Sequence, residues 1–270
     1  MTVPASPQSP VTPVTPVPRQ ATFSIAVVDP ATGISGVATA SRYIAVGSLV
    51  LHARAEAGAI LTQSIADRSH GERGLPMLAA GTPPRGVVES LLADDQRAGL
   101  RQIAAVNSVG ETAWYTGAQC TPLSAAVEQP ATADTPGLVA LGNMLSHRVV
   151  PEAMAAAFLS VYHREASLVV PDPLGGSNTA MPADEAARVR TGANRMAEAL
   201  LAALVAGEAA GGDRRGKQAA GLLVVASGAG YSGRDDRAVD LRVDDHPTPI
   251  QELDRVFRVF LDNQQREFAE

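Results

Sequence analysis

The chain has 270 residues, of which 46% are hydrophobic and 19% charged, with a net charge of -6 and a single cysteine. That apolar content suffices for a globular core, while one cysteine can build neither an intrachain disulfide nor a Cys-rich zinc site. Mild acidity with few aromatic residues argues against a nucleic-acid binder, and no apolar run approaches the roughly 18 residues of a membrane span, so a cytoplasmic location is expected.

In chain order, the first feature is proline. Six of the 19 prolines fall at Pro4, Pro7, Pro10, Pro13, Pro16 and Pro18. Proline fixes φ and removes a backbone donor, so residues 1–21 are expected to be a disordered tail or pro-segment. The tail has no apolar h-region, so it is not expected to act as a secretory signal. Residues 22–270 are expected to form one domain.

Strands are predicted over Thr22–Val28 and Ser35–Ser41, around a turn at Asp29–Gly33, and over Ala57–Ser64. Helical spacing follows at Gly74–Ala80 and Arg85–Ala93. Arg101–Asn107 and Thr112–Thr116 read as a hairpin, and Leu138–Gly142 as a short strand. Helices are predicted over Pro151–His163 and Ala183–Gly207, with a Pro/Gly/Ser/Asn loop, Pro171–Pro182, between them. Ala219–Ala226 and Val239–Val243 read as strands and Ile250–Gln264 as a terminal helix. Strands and helices come in blocks, which disfavours a regularly alternating parallel sheet and fits two sheets with helices outside them, an α+β arrangement.

Several candidate motifs are weak. Gly228, Gly230 and Gly233 match a dinucleotide fingerprint, but Arg234–Arg237 and then a strand follow where a helix should open, so a glycine turn is the simpler reading. The five histidines (His52, His70, His147, His163, His246) lie at no metal-ligand spacing. Asp244, Asp245 and His246 are consecutive, so strand geometry would aim them apart; no metal and no cofactor is expected. Cys120 without a paired histidine reads as a small buried hydrophobe. Asp213–Gln218 concentrates charge before the most apolar strand. It is either a solvated loop or a place where Asp213 orients a nucleophile while Arg214 and Arg215 meet an acidic ligand group.

Thr22 opens the first strand directly after the tail. A threonine hydroxyl needs a base, and a chain-terminal threonine carries one in its own α-amino group, with pKa near 8. Cleavage after Ala21 would create it. Ser24 lies on the same strand face and is the alternative hydroxyl.

The segments TFSIAVVDPATGISGVATASRYIAVGS, AEAGAILTQS, GERGL, GNML, GGDRRGKQAAGLLVV and VDLRVDDHPTPIQEL resemble a bacterial Ntn-hydrolase-like family of unknown function. The resemblance implies a four-layer αββα sandwich with Thr22 as the N-terminal nucleophile. Many relatives begin Met-Thr-(Phe/Tyr)-Ser-Ile, whereas 21 residues precede Thr22 here. By analogy with the superfamily, Ser41 and Glu56 would ring the site, Glu56 paired with Arg42 or Arg54, and Asn143 would donate to an oxyanion. The expected activity is hydrolysis of a small non-peptide amide or cyclic amide by a homodimer. The alternative is a non-catalytic binding or scaffold protein on the same fold.

Overall fold

The computed structural model describes residues 21–120, 123–167, 181–230 and 235–267. The predicted tail up to Gln20 and nearly all of the Pro171–Pro182 loop lie outside them. The fold is mixed α+β, with two antiparallel sheets and six helices among the described residues.

The larger sheet begins with the predicted hairpin, β1 (Thr22–Asp29) and β2 (Ile34–Ser41). The smaller sheet contains β3 (Leu51–Arg54), β4 (Gly58–Ser64), β5 (Arg101–Asn107) and β6 (Thr112–Thr116) in chain order. The larger sheet is completed by β7 (Ala125–Gln129), β8 (Gly137–Asn143), β9 (Ala219–Val225) and β10 (Arg237–Val243), in the order β10-β9-β2-β1-β8-β7. β1 is therefore a central strand, laddered on both sides.

β1 and β2 are buried throughout because both faces of their sheet are covered. Phe23, Ile25 and Val27 join the core built with α4 (Val150–Ser167), α5 (Met181–Ala209) and α6 (Pro249–Glu267). Ala26, Val28 and Val37 instead meet Ala59, Leu61, Ala104 and Val106 of the smaller sheet. The far side of that sheet packs Ile60, Ile103 and Ala105 against Leu78, Val87 and Leu91 of α2 (Arg68–Ala79) and α3 (Pro84–Ala93). Side chains that alternate along each strand thus feed two cores at once.

The sequence reading passes over three elements, each for a local reason. The four-residue helix α1 (Gly47–Val50) and the four-residue β3 are too short to show a period. β7 is a half-exposed edge strand without alternating polarity. α2 begins at Arg68, earlier than Gly74, although Gly71 and Pro76 lie inside it. The Asp67 carboxylate caps it by accepting from the Ser69 amide at 3.0 Å, and Gly71 leaves room for the His52 ring, into which any Cβ would run.

Gly58 opens β4 with φ at +129°, and a Cβ there would meet the Val106 carbonyl oxygen and lie 2.9 Å from the Asn107 Cα. Backbone atoms cannot move aside as a side-chain tip can. Gly58→Ala is expected to destabilise the protein by about 2–4 kcal/mol, read as a lower urea midpoint at unchanged slope. An unchanged midpoint would show that the β4–β5 register relaxes freely.

Candidate functional site

Strand register builds the site. Thr22 is the Cα partner of Ser41 on one side and of Asn143 on the other. The first residue of the central strand thus lies between the last residues of its two neighbours, all three projecting from the sheet face that meets the smaller sheet. All three are buried. Thr22 Oγ1 donates to Ser41 Oγ at 3.3 Å, and Ser41 Oγ donates in turn to the Ala21 carbonyl.

Asp213 sits at the same end, tied there by a bridge between Leu145 and Asp213. Its side chain is 1% exposed and pairs with the Arg215 guanidinium, Nη2 to Oδ2 at 2.8 Å. The carboxylate also accepts from the Arg42 amide at 2.7 Å and from the Arg215 amide at 2.8 Å. Aimed in this way, Arg215 Nη2 donates to the Ala21 carbonyl at 2.9 Å. Two donors, one charged, therefore converge on the carbonyl immediately before Thr22. Charge-assisted donors of this kind polarise a carbonyl more strongly than neutral ones.

A run of buried amides lies beneath, where the sequence offered only two polar residues in apolar strands. Gln63 and Gln102 are register partners on β4 and β5, both fully buried. Gln63 Nε2 donates to the Thr22 carbonyl at 3.3 Å and to Gln102 Oε1 at 2.8 Å. Gln63 Oε1 accepts from Ser24 Oγ at 2.6 Å. Gln102 Nε2 donates to Thr116 Oγ1 and to the Gly142 carbonyl, each at 3.0 Å, and Asn143 Nδ2 donates to Gln102 Oε1 at 3.1 Å. Burying this many polar groups is tolerable only because nearly every one is paired. A glutamine inside an otherwise apolar strand such as GAILTQS was the available signal.

Of the residues singled out in sequence, Thr22, Ser41, Asn143, Asp213 and Arg215 come together. Ser24 is adjacent, but it is held between Gln63 and Thr39 Oγ1, the latter at 2.8 Å. Glu56 is not brought there. It follows β3 at the opposite end of the small sheet from Gln63, with φ at +62°. It accepts from Ser227 Oγ at 2.9 Å, whereas Arg42 donates to the Arg215 carbonyl at 2.5 Å. Of the two partners expected for Glu56, Arg42 is thus engaged at a separate place. Arg214 lines a cavity of about 210 Å³ with Phe23, Ala40, Glu208 and Lys217, and Ser41 and Asp213 of the site also border it. Phe23 and Ala40 alternate with Thr22 and Ser41, so they project from the other sheet face.

The remaining motifs have structural partners. Asp236 Oδ1 accepts from the Gly228 amide at 3.0 Å, and the Gly230 amide donates to the Asp235 carbonyl at 2.8 Å. Gly233 and Arg234 lie outside the described residues. His246 Nδ1 accepts from the Thr248 amide at 3.1 Å and Asp245 accepts from Gln218 at 3.1 Å. Among the described residues no group of three His, Cys, Asp or Glu side chains is placed to hold a metal ion. Cys120 Sγ donates to the Arg101 carbonyl at 3.2 Å, and burial pushes its thiol pKa up.

A second buried cluster backs the amide run. His70 has no exposed surface; its Nδ1 meets Thr62 Oγ1 at 3.2 Å, and its Nε2 lies 3.7 Å from Asp95. Arg101 Nε holds Asp95 at 2.6 Å, which keeps that carboxyl below its usual range. Burial outweighs the nearby Asp67 and Asp95 charges and lowers the His70 pKa. The unfolded chain then takes up a proton near pH 6.5 that the folded chain refuses. Stability is expected to fall as pH drops below about 6.5 and to be independent of His70 above it. Asp95, with its pKa lowered, loses its stabilising pairing only at more acidic pH. Thermal unfolding of wild type and His70→Asn between pH 5 and 8 checks this. Equal slopes for the two proteins would exclude His70 as the source.

The chain is thus a two-sheet α+β protein whose candidate site is a hydroxyl, amide and ion-pair cluster at the start of its central strand. It belongs to the DUF1028 family, a family of unknown function, whose model matches residues 22–253. A solved relative, protein SPO2555 from Silicibacter pomeroyi, shares 29% identity over 88% of each chain, with a TM-score of 0.65, and carries the same family assignment. No curated protein matches the chain. No helix among the described residues is long and apolar enough to cross a membrane.

Proposed function

We propose that the protein is an amidohydrolase of the N-terminal-nucleophile type, active once the Ala21–Thr22 bond is cut. The supporting layering is helices, sheet, sheet, helices, the four-layer αββα order of that class. The observation that carries the reading is the Ala21 carbonyl, held by Ser41 Oγ and Arg215 Nη2 directly before a buried threonine. Donors converging on one carbonyl are what acyl transfer requires of an oxyanion site.

In the uncut chain the Thr22 nitrogen is an amide and cannot serve as a base. Attack of Thr22 Oγ1 on the Ala21 carbonyl carbon, followed by loss of the peptide nitrogen, which carries off the hydroxyl proton as it becomes an amine, gives an ester. Water hydrolyses the ester and leaves Thr22 with a free α-amino group. That amine then takes the hydroxyl proton as Oγ1 attacks a small amide, and returns it to the departing nitrogen. A second water releases the acid and restores the threonine. Ser41 and Arg215 point at the position of the developing oxyanion throughout, and Asp213 keeps Arg215 aimed.

Intact-mass spectrometry of protein purified from its native host tests this directly. The expected species begins at Thr22, and Thr22→Ala protein stays full-length. A uniformly full-length wild type sinks the proposal and favours a binding or scaffold protein on the same fold.

A further inference from the structure

One atom in the candidate site lacks a partner. Asn143 is fully buried, and its Oδ1 has no hydrogen-bond partner among the described residues. The orientation of this amide is fixed by its surroundings. Backbone carbonyls only accept, so the Gly142 carbonyl must receive Gln102 Nε2 and the Thr22 carbonyl must receive Gln63 Nε2. Gln102 Oε1 therefore faces Gln63 and Asn143 as an acceptor. Asn143 must offer it Nδ2, which turns Oδ1 away from the amide run. Hydrogen-bond logic of this kind is what assigns amide orientation.

Asn143 thus presents an acceptor beside Thr22, its strand partner, where the sequence reading expected an oxyanion donor. An unpaired buried acceptor carries a desolvation cost that is removed when a donor arrives. The Thr22 nitrogen lies in the plane of the sheet. The Asn143 and Thr22 side chains stand off the same face of the sheet as register partners.

The geometry points to Asn143 Oδ1 as the group that reads an N–H on the amide nitrogen under attack, so that the substrates are primary or secondary amides, ureides or unsubstituted lactams, rather than esters or N,N-disubstituted amides. This rests on Thr22 as the nucleophile. Oγ1 adds to the carbonyl carbon, the C–N bond breaks, and the nitrogen leaves carrying its own hydrogen and the proton from Oγ1. The Asn143 acceptor holds the original N–H throughout.

Three probes test it on protein shown by mass to begin at Thr22: p-nitroacetanilide, its N-methyl derivative, and p-nitrophenyl acetate. Wild type is expected to favour the anilide over the N-methyl compound by at least about tenfold in kcat/KM, beyond the ratio of their alkaline hydrolysis. Asn143→Leu should lower anilide turnover by about 10–100-fold and erase that preference, with the ester burst at Thr22 changed less than about threefold. Equal losses on ester and anilide in Asn143→Leu, or no N–H preference in wild type, overturn the assignment; the wild-type comparison does not depend on any variant folding. An ester burst at Thr22 without anilide turnover also overturns it and leaves the nucleophile standing. No acetyl group on Thr22 from the ester refutes the nucleophile and this inference together.

Discussion

Thr22→Ala is expected to abolish hydrolysis of any confirmed amide substrate, by at least about 10⁴-fold in kcat, while leaving the fold in place. The two effects separate because of how little else the hydroxyl does. It donates to Ser41 Oγ at 3.3 Å, a length at which little stability is held. Removing it should change the unfolding free energy by no more than about 1 kcal/mol. The strand itself is held by backbone ladders on both sides. Thr22→Ser keeps an oxygen at the same place and should retain measurable turnover. The proof is a paired measurement of kcat and Tm on chains trimmed to residue 22. Full turnover by the alanine variant would move the nucleophile elsewhere, with Ser24 the first residue to examine.

The largest expected loss of stability is at Asp213. Its carboxylate closes the end of β2 against the segment following α5, through the Arg42 amide, the Arg215 amide and the Arg215 guanidinium. Asp213→Ala would remove the acceptor shared by two amides and the partly buried Arg215 guanidinium. That is the costly half of breaking a buried pair, about 3–5 kcal/mol, and for a chain of this size a drop of several degrees or more in Tm. Arg215 would also lose its aim at the Ala21 carbonyl, so uncut protein should accumulate. Asp213→Asn preserves the shape and can still accept one bond, so it should fall between the two. Thermal unfolding and intact mass on the same samples check both effects. A variant within about 1 kcal/mol of wild type would show that Asp213 is not the anchor of this corner.

The pattern of strands and helices was readable because the two sheets bury most strands on both faces. β1, β2, β4, β5 and β9 all appear as apolar or small-residue runs between turn residues. β7 was invisible for the opposite reason, being short, half-exposed and at a sheet edge. At the site, Thr22 was legible from its position after the prolines, and Asp213 with Arg215 from their density of charge. Gln63 and Gln102 were not, since their significance lies in facing each other across 39 positions of sequence. Glu56 misled because sequence places it before the first residue of β4 but does not say that the other end of that strand, at Gln63, is the one that meets Thr22. Asn143 was found for a role as donor, but the direction of its amide is decided by the Gly142 carbonyl through Gln102, a relay that one-dimensional reading does not contain.

The position of β1 has a consequence for what a cut before it would create. A new chain terminus usually frays, and its amino group samples a large volume. Here the terminus would lie in the middle of a six-stranded sheet, with neighbours paired to Thr22 from either side. The amine would stay within reach of its own hydroxyl with almost no orientational freedom left to lose. In kinetic terms, the ladders would give such a base a high effective molarity toward Oγ1, of the order seen in well-oriented intramolecular reactions. Folding would then have met the entropic cost of assembling nucleophile and base before any substrate arrived.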